Sequence, residues 1–289
     1  MNNILLMSYG SPERTEDVEE YLAGIFNNRA VPEQALQENL EKYRMVNGVS
    51  PSNKIIKQIG DKLSKLLKKY GNFDVTIVYK HWKPDIFTGI QSLKNEYENI
   101  IALPLFPFKS NNIKKSYEIP FKEAIRRNNI KTKTVFINGL EDQMFNHIWT
   151  HNISKYMYDF DSVLFAAHSL PLIDDETDYK NSALTKMDEL SRLFKPSTTF
   201  KGFYGNNKYG TWLSPFIYDL TNQMVDKKID NLLVIPLGFL YEHLEILYDL
   251  DVKYRKFIEN LGIKYGRVET PSCSDELVIL LKNVIMKNL

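Results

Sequence analysis

The stretch NLLVIPLGFLYEHLEILYDLD, residues 231–251, joins a strand to a helix, and the rest of the chain is interpreted from it. Residues 232–237 form a continuous apolar run, which is typical of a strand that is buried on both faces. Gly238 marks the end of the strand, and a helix is predicted to begin at Glu242. Because a strand buried on both faces needs helices on either side, this stretch indicates an α/β fold.

The predicted helix carries three acidic side chains on one side. Its apolar stripe on a 3.6-residue period consists of Leu240, Leu244 and Leu247. The acids Glu242, Glu245 and Asp249 fall together on another side. Open α/β folds place their sites at the carboxyl ends of strands, so these acids are candidates for a site. The alternative is a solvated acidic face, which the helix dipole favours as well.

The remainder of the chain alternates strands with helices. Further strands are predicted at residues 3–8, 75–79, 99–105, 133–137, 162–167, 199–204 and 267–269. Helices are predicted at residues 15–26, 33–44, 53–70, 85–95, 115–128, 181–194, 215–227 and 274–287. A repeated strand–helix–strand order implies a parallel sheet that is covered on both faces.

The second half of the chain repeats the first. NILLMSYGSP at 3–12 lies over SVLFAAHSLP at 162–171, and ENIIALPLFPF at 98–108 lies over DNLLVIPLGFL at 230–240. We therefore predict two similar doubly wound lobes, 1–145 and 150–289, whose last helix packs back on the first lobe. Such lobes usually bind ligand in the cleft between the carboxyl ends of their strands. The overlay puts Tyr9 and His168 at equivalent places, one at the mouth of each lobe.

Composition excludes several classes of protein. The net charge of +1 gives no global reason to expect nucleic acid or membrane binding. The single cysteine, Cys273, excludes an internal disulfide and a four-cysteine metal or iron–sulfur site. The N-terminus lacks the basic and apolar regions of a signal peptide, and no apolar run approaches the ~20 residues of a membrane-spanning helix. We expect a cytoplasmic monomer without a transmembrane segment.

His168 is the strongest candidate for chemistry, because it follows a buried strand directly and an imidazole can bind a metal or move a proton near neutral pH. The alternative is a structural histidine in a turn. His147 and His151 are interpreted as residues of a surface helix, and His243 as a supporting residue. For His81 a cleft-lining role and a packing role stay equally open.

Familiar nucleotide-binding and hydrolase motifs are absent from the sequence: it contains no G-x-G-x-x-G after a strand, no Walker loop, no G-x-S-x-G and no H-E-x-x-H. Aromatic residues are predicted to face the cleft at Tyr9, Trp82, Phe106, Phe108, Tyr117, Tyr209 and Trp212. Aromatic walls with a histidine and carboxylates suit a large, flat, apolar ligand together with a cation.

Two segments carry a resemblance to a known family. FAAHSLP at 165–171 and PLGFLYEHLEILYDLD at 236–251 resemble the two signature segments of ferrochelatases. The N-terminal LLMSYGSPERTEDVEEYL, NGVSP at 47–51 and Trp-Leu-x-Pro at 212–215 are similar to further segments in the same order. The resemblance implies insertion of ferrous iron, a substrate, into a porphyrin in haem biosynthesis, with no permanently bound cofactor.

The resemblance also implies roles for individual residues. His168 and Glu245 match the catalytic and metal-binding pair, and Asp249 and Glu242 match the supporting acidic ridge. Tyr9 matches a tyrosine on the porphyrin face opposite the histidine. Porphyrin-lining positions are implied for Tyr9, Ser50, Lys80, Tyr117 and Arg29.

The chain departs from the family pattern in its first lobe and at the end of the ridge. Phe26-Asn27 stands where a basic pair is common, and only Arg29 lies nearby, which leaves coproporphyrin III and protoporphyrin IX both open. Lys253 stands where an acid often continues the ridge. No cysteine-bearing C-terminal extension is present, so no iron–sulfur cluster is expected. The alternatives to a ferrochelatase are a cobalt or nickel chelatase and a non-catalytic porphyrin or haem carrier.

Overall fold

The computed structural model of the chain describes residues 1–27, 29–93, 97–205 and 210–289. It contains two four-stranded parallel sheets with the strand orders β2-β1-β3-β4 and β6-β5-β7-β8. The first consists of β1 (Asn2–Ser8), β2 (Phe73–Tyr79), β3 (Asn99–Pro104) and β4 (Lys133–Phe136). The second consists of β5 (Ser162–His168), β6 (Thr198–Tyr204), β7 (Asn231–Pro236) and β8 (Lys264–Arg267). The prediction of two similar α/β lobes with parallel sheets is confirmed.

Helices cover these sheets, as the apolar central strands require. The first half of the chain contains α1 (Val18–Ile25), α2 (Glu33–Met45), α3 (Ser52–Leu67), α4 (Ile86–Gln91) and α5 (Asn111–Arg127). The second half contains α6 (Met144–Ser154), α7 (Thr177–Phe194), α8 (Thr221–Asp226), α9 (Arg255–Glu259) and α10 (Asp275–Lys287). Among the described residues, no helix is both long and apolar enough to cross a membrane.

Several boundaries differ from the prediction by a few residues, among them the starts of α7 and α8, and for two of them local contacts give the reason. Helix α5 begins at Asn111 rather than at residue 115, since the Ser110 hydroxyl accepts a hydrogen bond from the amide of Ile113 at 3.0 Å and caps the helix. Pro120 lies inside this helix without ending it. The last strand is Lys264–Arg267 rather than 267–269, because these residues continue the ladder along β7.

Contacts on two sides join the lobes. One continuous hydrophobic cluster contains Ile4 and Leu6 of the first sheet together with Leu233 and Ile235 of the second. Helix α10 packs against α3 of the first lobe and adds the Lys62–Asp275 ion pair, whose N···O distance is 2.7 Å. The division of the chain near residues 145–150 stays a proposal.

A second inter-lobe contact is polar. The Glu176 carboxylate, at the start of α7, is buried and accepts a hydrogen bond from the amide of Asn112 at 2.6 Å. The neighbouring Asn111 amide group donates to the carbonyl oxygen of Asp175 at 2.6 Å. The second lobe therefore holds the N-terminal end of α5, a helix of the first lobe.

The helix predicted after β7 has a wider winding than expected. Residues Ile246–Tyr254 form a π-helix, whose hydrogen bonds run from each residue to the fifth one along the chain. Its buried residues are Ile246, Leu250 and Tyr254, four positions apart. In this winding Glu245 and Asp249, also four positions apart, stay on a common side.

Candidate active site

The carboxyl ends of the strands of both lobes meet at one cavity of about 590 Å³. Strand β1 leads to Tyr9, β2 to Lys80 and β3 to Phe106, while β5 ends at His168 and β7 leads to Phe239. This convergence is the site position that open parallel sheets favour. Tyr9 and His168 both line this cavity, one from each lobe, at the equivalent strand ends that the overlay predicted.

The polypeptide around His168 fixes the position of its side chain. The Tyr179 hydroxyl donates to the carbonyl oxygen of His168 at 2.7 Å. A Cβ atom at Gly238 would lie 2.7 Å from the amide nitrogen of His168, and one at Gly205 would lie 2.3 Å from its Nε2 atom. Because only glycine lacks that atom, these two positions allow the strands to approach the histidine closely. The side chain is 17% exposed, and it lines the cavity.

Gly205→Ala is expected to lower turnover by about 10²-fold, because its methyl group would displace the His168 ring, and a shift of about 1 Å can have this effect. Gly205 also has a positive φ of 81°, so the substitution strains the backbone. Gly210→Ala is the matched control, since Gly210 has a φ of 79° and no described atom within 4 Å of its added Cβ. Comparable initial rates for the two variants would contradict this assignment.

Glu245 pairs with two histidines. Its Oε2 atom lies 3.3 Å from Nε2 of His168 and 3.4 Å from Nε2 of His243. The Nδ1 atom of His243 lies 3.2 Å from the carbonyl oxygen of Tyr241, which orients that ring. The predicted supporting place of His243 agrees with these contacts.

The electrostatic surroundings keep Glu245 ionised. Burial in the cleft wall alone would raise the pKa of its carboxyl group, but His168 and His243 outweigh that effect and lower the pKa to about 2. The side chain is 48% exposed, and it lines the cavity. The pair therefore presents an anion and an imidazole to the cavity, which together can hold a divalent cation or receive protons.

Glu242 does not belong to this group, and the prediction that it shares a helix side with Glu245 and Asp249 is wrong. It precedes the helix, and its Oε1 atom accepts hydrogen bonds from Arg267 at 3.0 Å and from the amide of Thr270 at 2.9 Å. Arg267 also binds Asp251 through two hydrogen bonds of 2.7 Å. Through Arg267, Glu242 is linked to Asp251 and helps to hold the π-helix in place. It does not line the cavity.

Asp249 lines the cavity one turn beyond Glu245. Burial and the negative charge of Glu245 raise the pKa of its carboxyl group. Lys253 follows one turn later, also on the cavity wall, with its Nζ atom 4.0 Å from Oδ1 of Asp249. The side of the π-helix that faces the cavity therefore carries two acids and then a cation.

The part of the first-lobe wall beside Tyr9 is aromatic and carries a half-buried cation, Lys80. The rings of Tyr9 and His81 lie 4.6 Å apart, and the Nζ atom of Lys80 lies 5.8 Å from the Tyr9 ring and 5.9 Å from the Tyr117 ring. Burial lowers the pKa of Lys80. Burial, together with the positive charge of Lys80, lowers the pKa of His81 to about 4. The His81 ring beside Tyr9 is therefore neutral.

Two buried residues, Tyr117 and Ser50, bring polar side chains to the cavity wall. Tyr117 is buried and lines the cavity, and its hydroxyl has no hydrogen-bond partner among the described residues. Ser50 lines the cavity as well, and its hydroxyl donates to that of Ser52 at 3.0 Å. The predicted lining positions Tyr9, Ser50, Lys80 and Tyr117 thus lie together at one cavity.

Other predicted positions lie elsewhere. Arg29, in the loop after α1, is exposed and does not line the cavity. Trp82 packs edge-on against Tyr21, and Phe108 packs against Phe145, so both stand outside the lining. Tyr209 lies outside the described residues. His147 and His151 are exposed on α6.

The sequence analysis missed Lys42 and Tyr248, which both line the cavity. Lys42 belongs to α2, which meets the π-helix only in the folded chain, so its spacing carries no local signal. Tyr248 lies between Glu245 and Asp249 in sequence, and neither the apolar stripe nor the acidic side of the predicted helix included it.

A second cavity of about 710 Å³ lies away from the strand ends, between the 107–109 loop, the 140–146 segment and α7. Its charged residues pair with each other, as Lys109 does with Glu141 at 2.8 Å and Lys186 with Glu189 at 2.7 Å. Its described lining contains no histidine, and its aromatic residues, Phe108 and Phe145, pack against each other, so the first cavity is the candidate active site.

Comparisons with known proteins match nearly the whole length of the chain. The family model for ferrochelatase matches residues 2–289. The ferrochelatase of Thermoplasma volcanium is 40% identical over 287 residues, which cover 99% of this chain and 92% of that protein. The coproporphyrin III ferrochelatase of Anoxybacillus flavithermus is 26% identical to this chain. The match covers 99% of this chain and 96% of that protein.

Among solved structures, SirB from Bacillus subtilis with Fe³⁺ superimposes with a TM-score of 0.62 and 11% sequence identity. The match covers 99% of this chain and 94% of that one. At this identity the similarity concerns the fold alone, and it places the chain among two-lobed chelatase folds.

Proposed function

This chain belongs to the ferrochelatase family, and it inserts ferrous iron into a porphyrin in haem biosynthesis; from that premise we propose that insertion takes place in the cavity between its lobes. The observation that carries the location is the pair of His168 Nε2 and Glu245 Oε2, 3.3 Å apart at the carboxyl ends of the second sheet. Tyr9 and Lys80 line the same cavity from the first lobe.

His168 is the proton acceptor in this proposal. A porphyrin must lose two N–H protons as the Fe²⁺ ion enters. His168 accepts them one at a time and passes the first to solvent in the cavity before it takes the second, so that both protons leave and the net charge of the ring and metal stays balanced. Imidazole is the side chain that changes charge near neutral pH, and although burial raises the pKa of Glu245, the pairing with a protonated imidazole lowers it overall, so the carboxylate accepts protons poorly. Glu245 therefore stays an anion, which attracts the metal and stabilises a protonated His168.

The two lobes contact opposite faces of the porphyrin in this arrangement. Tyr9 lies against His81 on the first-lobe wall, and His168 lies on the second. Iron that approaches along Asp249 and Glu245 would reach the ring on the His168 side. Aromatic side chains such as Phe106 and Phe239 supply the apolar walls that a flat macrocycle needs.

An anaerobic metallation assay tests the function. Purified protein is mixed with ferrous iron and either coproporphyrin III or protoporphyrin IX, and the porphyrin absorption spectrum is followed. We expect metallation well above the protein-free control. A rate equal to that control with both porphyrins would refute the function, and a preference for cobalt with a sirohydrochlorin would replace it by the related chelatase activity.

Further properties belong to the same proposal. A cytoplasmic location, a monomeric state, the absence of an iron–sulfur cluster and no role in nucleic acid binding remain predictions from the sequence. Iron is treated as a substrate of the protein rather than as a resident cofactor.

A further inference from the structure

Most of the positively charged side chains that line the cavity have no ion-pair partner among the described residues. Lysines line it at three places, Lys42, Lys80 and Lys253, and acids at two, Glu245 and Asp249. Among the described residues, Lys42 and Lys80 form no ion pair, and Lys253 has only the 4.0 Å contact with Asp249. Since Glu245 pairs with His168 and His243, and Asp249 reaches a lysine only at 4.0 Å, the lysines retain positive charge that the protein does not neutralise.

Two of these lysines share one aromatic ring. The Nζ atom of Lys42 lies 5.7 Å from the centre of the Tyr248 ring, and that of Lys253 lies 5.8 Å from the same centre. Lys42 comes from α2 of the first lobe and Lys253 from the π-helix of the second. The Lys253 side chain is 53% exposed, and an ion pair as long and as exposed as its contact with Asp249 contributes little.

The third lysine lies on a different part of the wall. Lys80 follows β2 and lies beside the rings of Tyr9 and Tyr117. Lys42 comes close enough to Glu245 and Asp249 to counteract the effect of burial, which raises the pKa of both carboxyl groups. The cavity therefore offers positive charge at two separate positions.

We propose that Lys253, together with Lys42, binds a carboxylate of the porphyrin at the π-helix wall, apart from a second positive position, at Lys80, where another carboxylate binds. This inference rests on the proposed function. A porphyrin whose carboxylates project from every pyrrole ring, as in coproporphyrin III, occupies both positions. Protoporphyrin IX carries its two propionates on neighbouring rings and occupies only one. Lys253 is thus a specificity-determining residue that favours the tetracarboxylate.

Binding measurements on charge variants test the assignment. The dissociation constant of coproporphyrin III is measured by porphyrin fluorescence for the full chain and for Lys253→Gln and Lys253→Glu. We expect about threefold weaker binding for the glutamine variant and about tenfold for the glutamate variant, because a neutral and then a repulsive group faces the carboxylate. Protoporphyrin IX and the tetramethyl ester of coproporphyrin III, compared in the same detergent, should change less than twofold.

Lys256→Glu is the matched control, since Lys256 is exposed on α9, carries the same charge and does not line the cavity. Equal weakening by Lys256→Glu, or equal weakening of the ester, would overturn the proposal. An unchanged dissociation constant with a raised KM for ferrous iron would also overturn it and assign Lys253 to the metal path. Failure of the function itself would be visible separately, as porphyrin binding without metallation by the unmodified chain.

Discussion

Glu245→Gln is expected to lower the rate of iron insertion by about 10²- to 10⁴-fold while porphyrin binding changes little. Glutamine keeps the shape of the side chain and removes the negative charge that lies 3.3 Å from His168 and 3.4 Å from His243. Without that charge the cavity attracts a dication less strongly, and a protonated His168 loses its counter-ion. Binding of the flat apolar ring depends mainly on the aromatic walls, which the substitution leaves intact.

The measurement compares initial rates of metallation with the dissociation constant of the porphyrin. Glu259→Gln provides a matched control, because Glu259 is exposed on α9 at the far end of the same helical segment. A Glu245→Gln variant that keeps more than about a tenth of the normal rate would contradict the role assigned to the carboxylate.

His168→Ala should reduce turnover to a similar extent, about 10²- to 10⁴-fold, because the variant loses the proposed proton acceptor. The backbone contact that positions this residue, from the Tyr179 hydroxyl to the His168 carbonyl oxygen, does not involve the side chain and persists. Removal of the ring also removes one cause of the low pKa of Glu245, so that pKa rises above about 2. Added imidazole should restore part of the rate, since it can occupy the space that the ring leaves.

His151→Ala serves as the control for this variant, because His151 is exposed on α6. Near-normal turnover in His168→Ala would refute the assignment. A loss of turnover that imidazole does not restore, accompanied by loss of porphyrin binding, would point to a structural role instead.

The apolar strands and the internal repeat predicted most of the architecture. The run at residues 232–237 predicted a strand buried on both faces, and β7 is such a strand at the centre of the second sheet. The overlay of residues 3–12 on 162–171 placed Tyr9 and His168 at equivalent strand ends, which is where they lie. Both inferences depend on burial alone, which a local sequence pattern records well.

Local sequence patterns did not predict which side chains surround the π-helix. A 3.6-residue period grouped Glu242 with Glu245, but Arg267 binds Glu242 and Asp251 from a strand far along the chain. Lys42 was missed for a similar reason, because its approach to Tyr248 depends on how α2 packs in the folded chain. Long-range ion pairs and helix winding are tertiary properties, and they decide which charges reach the cavity.

The shared hydrophobic cluster has a thermodynamic consequence. Lobes that meet only at a small polar surface usually move and melt as separate units. Here Ile4 and Leu233, on different sheets, belong to one cluster, and α10 crosses from the second half of the chain to pack on α3. Because neither half can lose its packing without exposing apolar surface of the other, we expect the two halves to unfold together. We then expect entry and release of a large flat molecule to depend on local openings around the cavity rather than on hinge motion between the lobes.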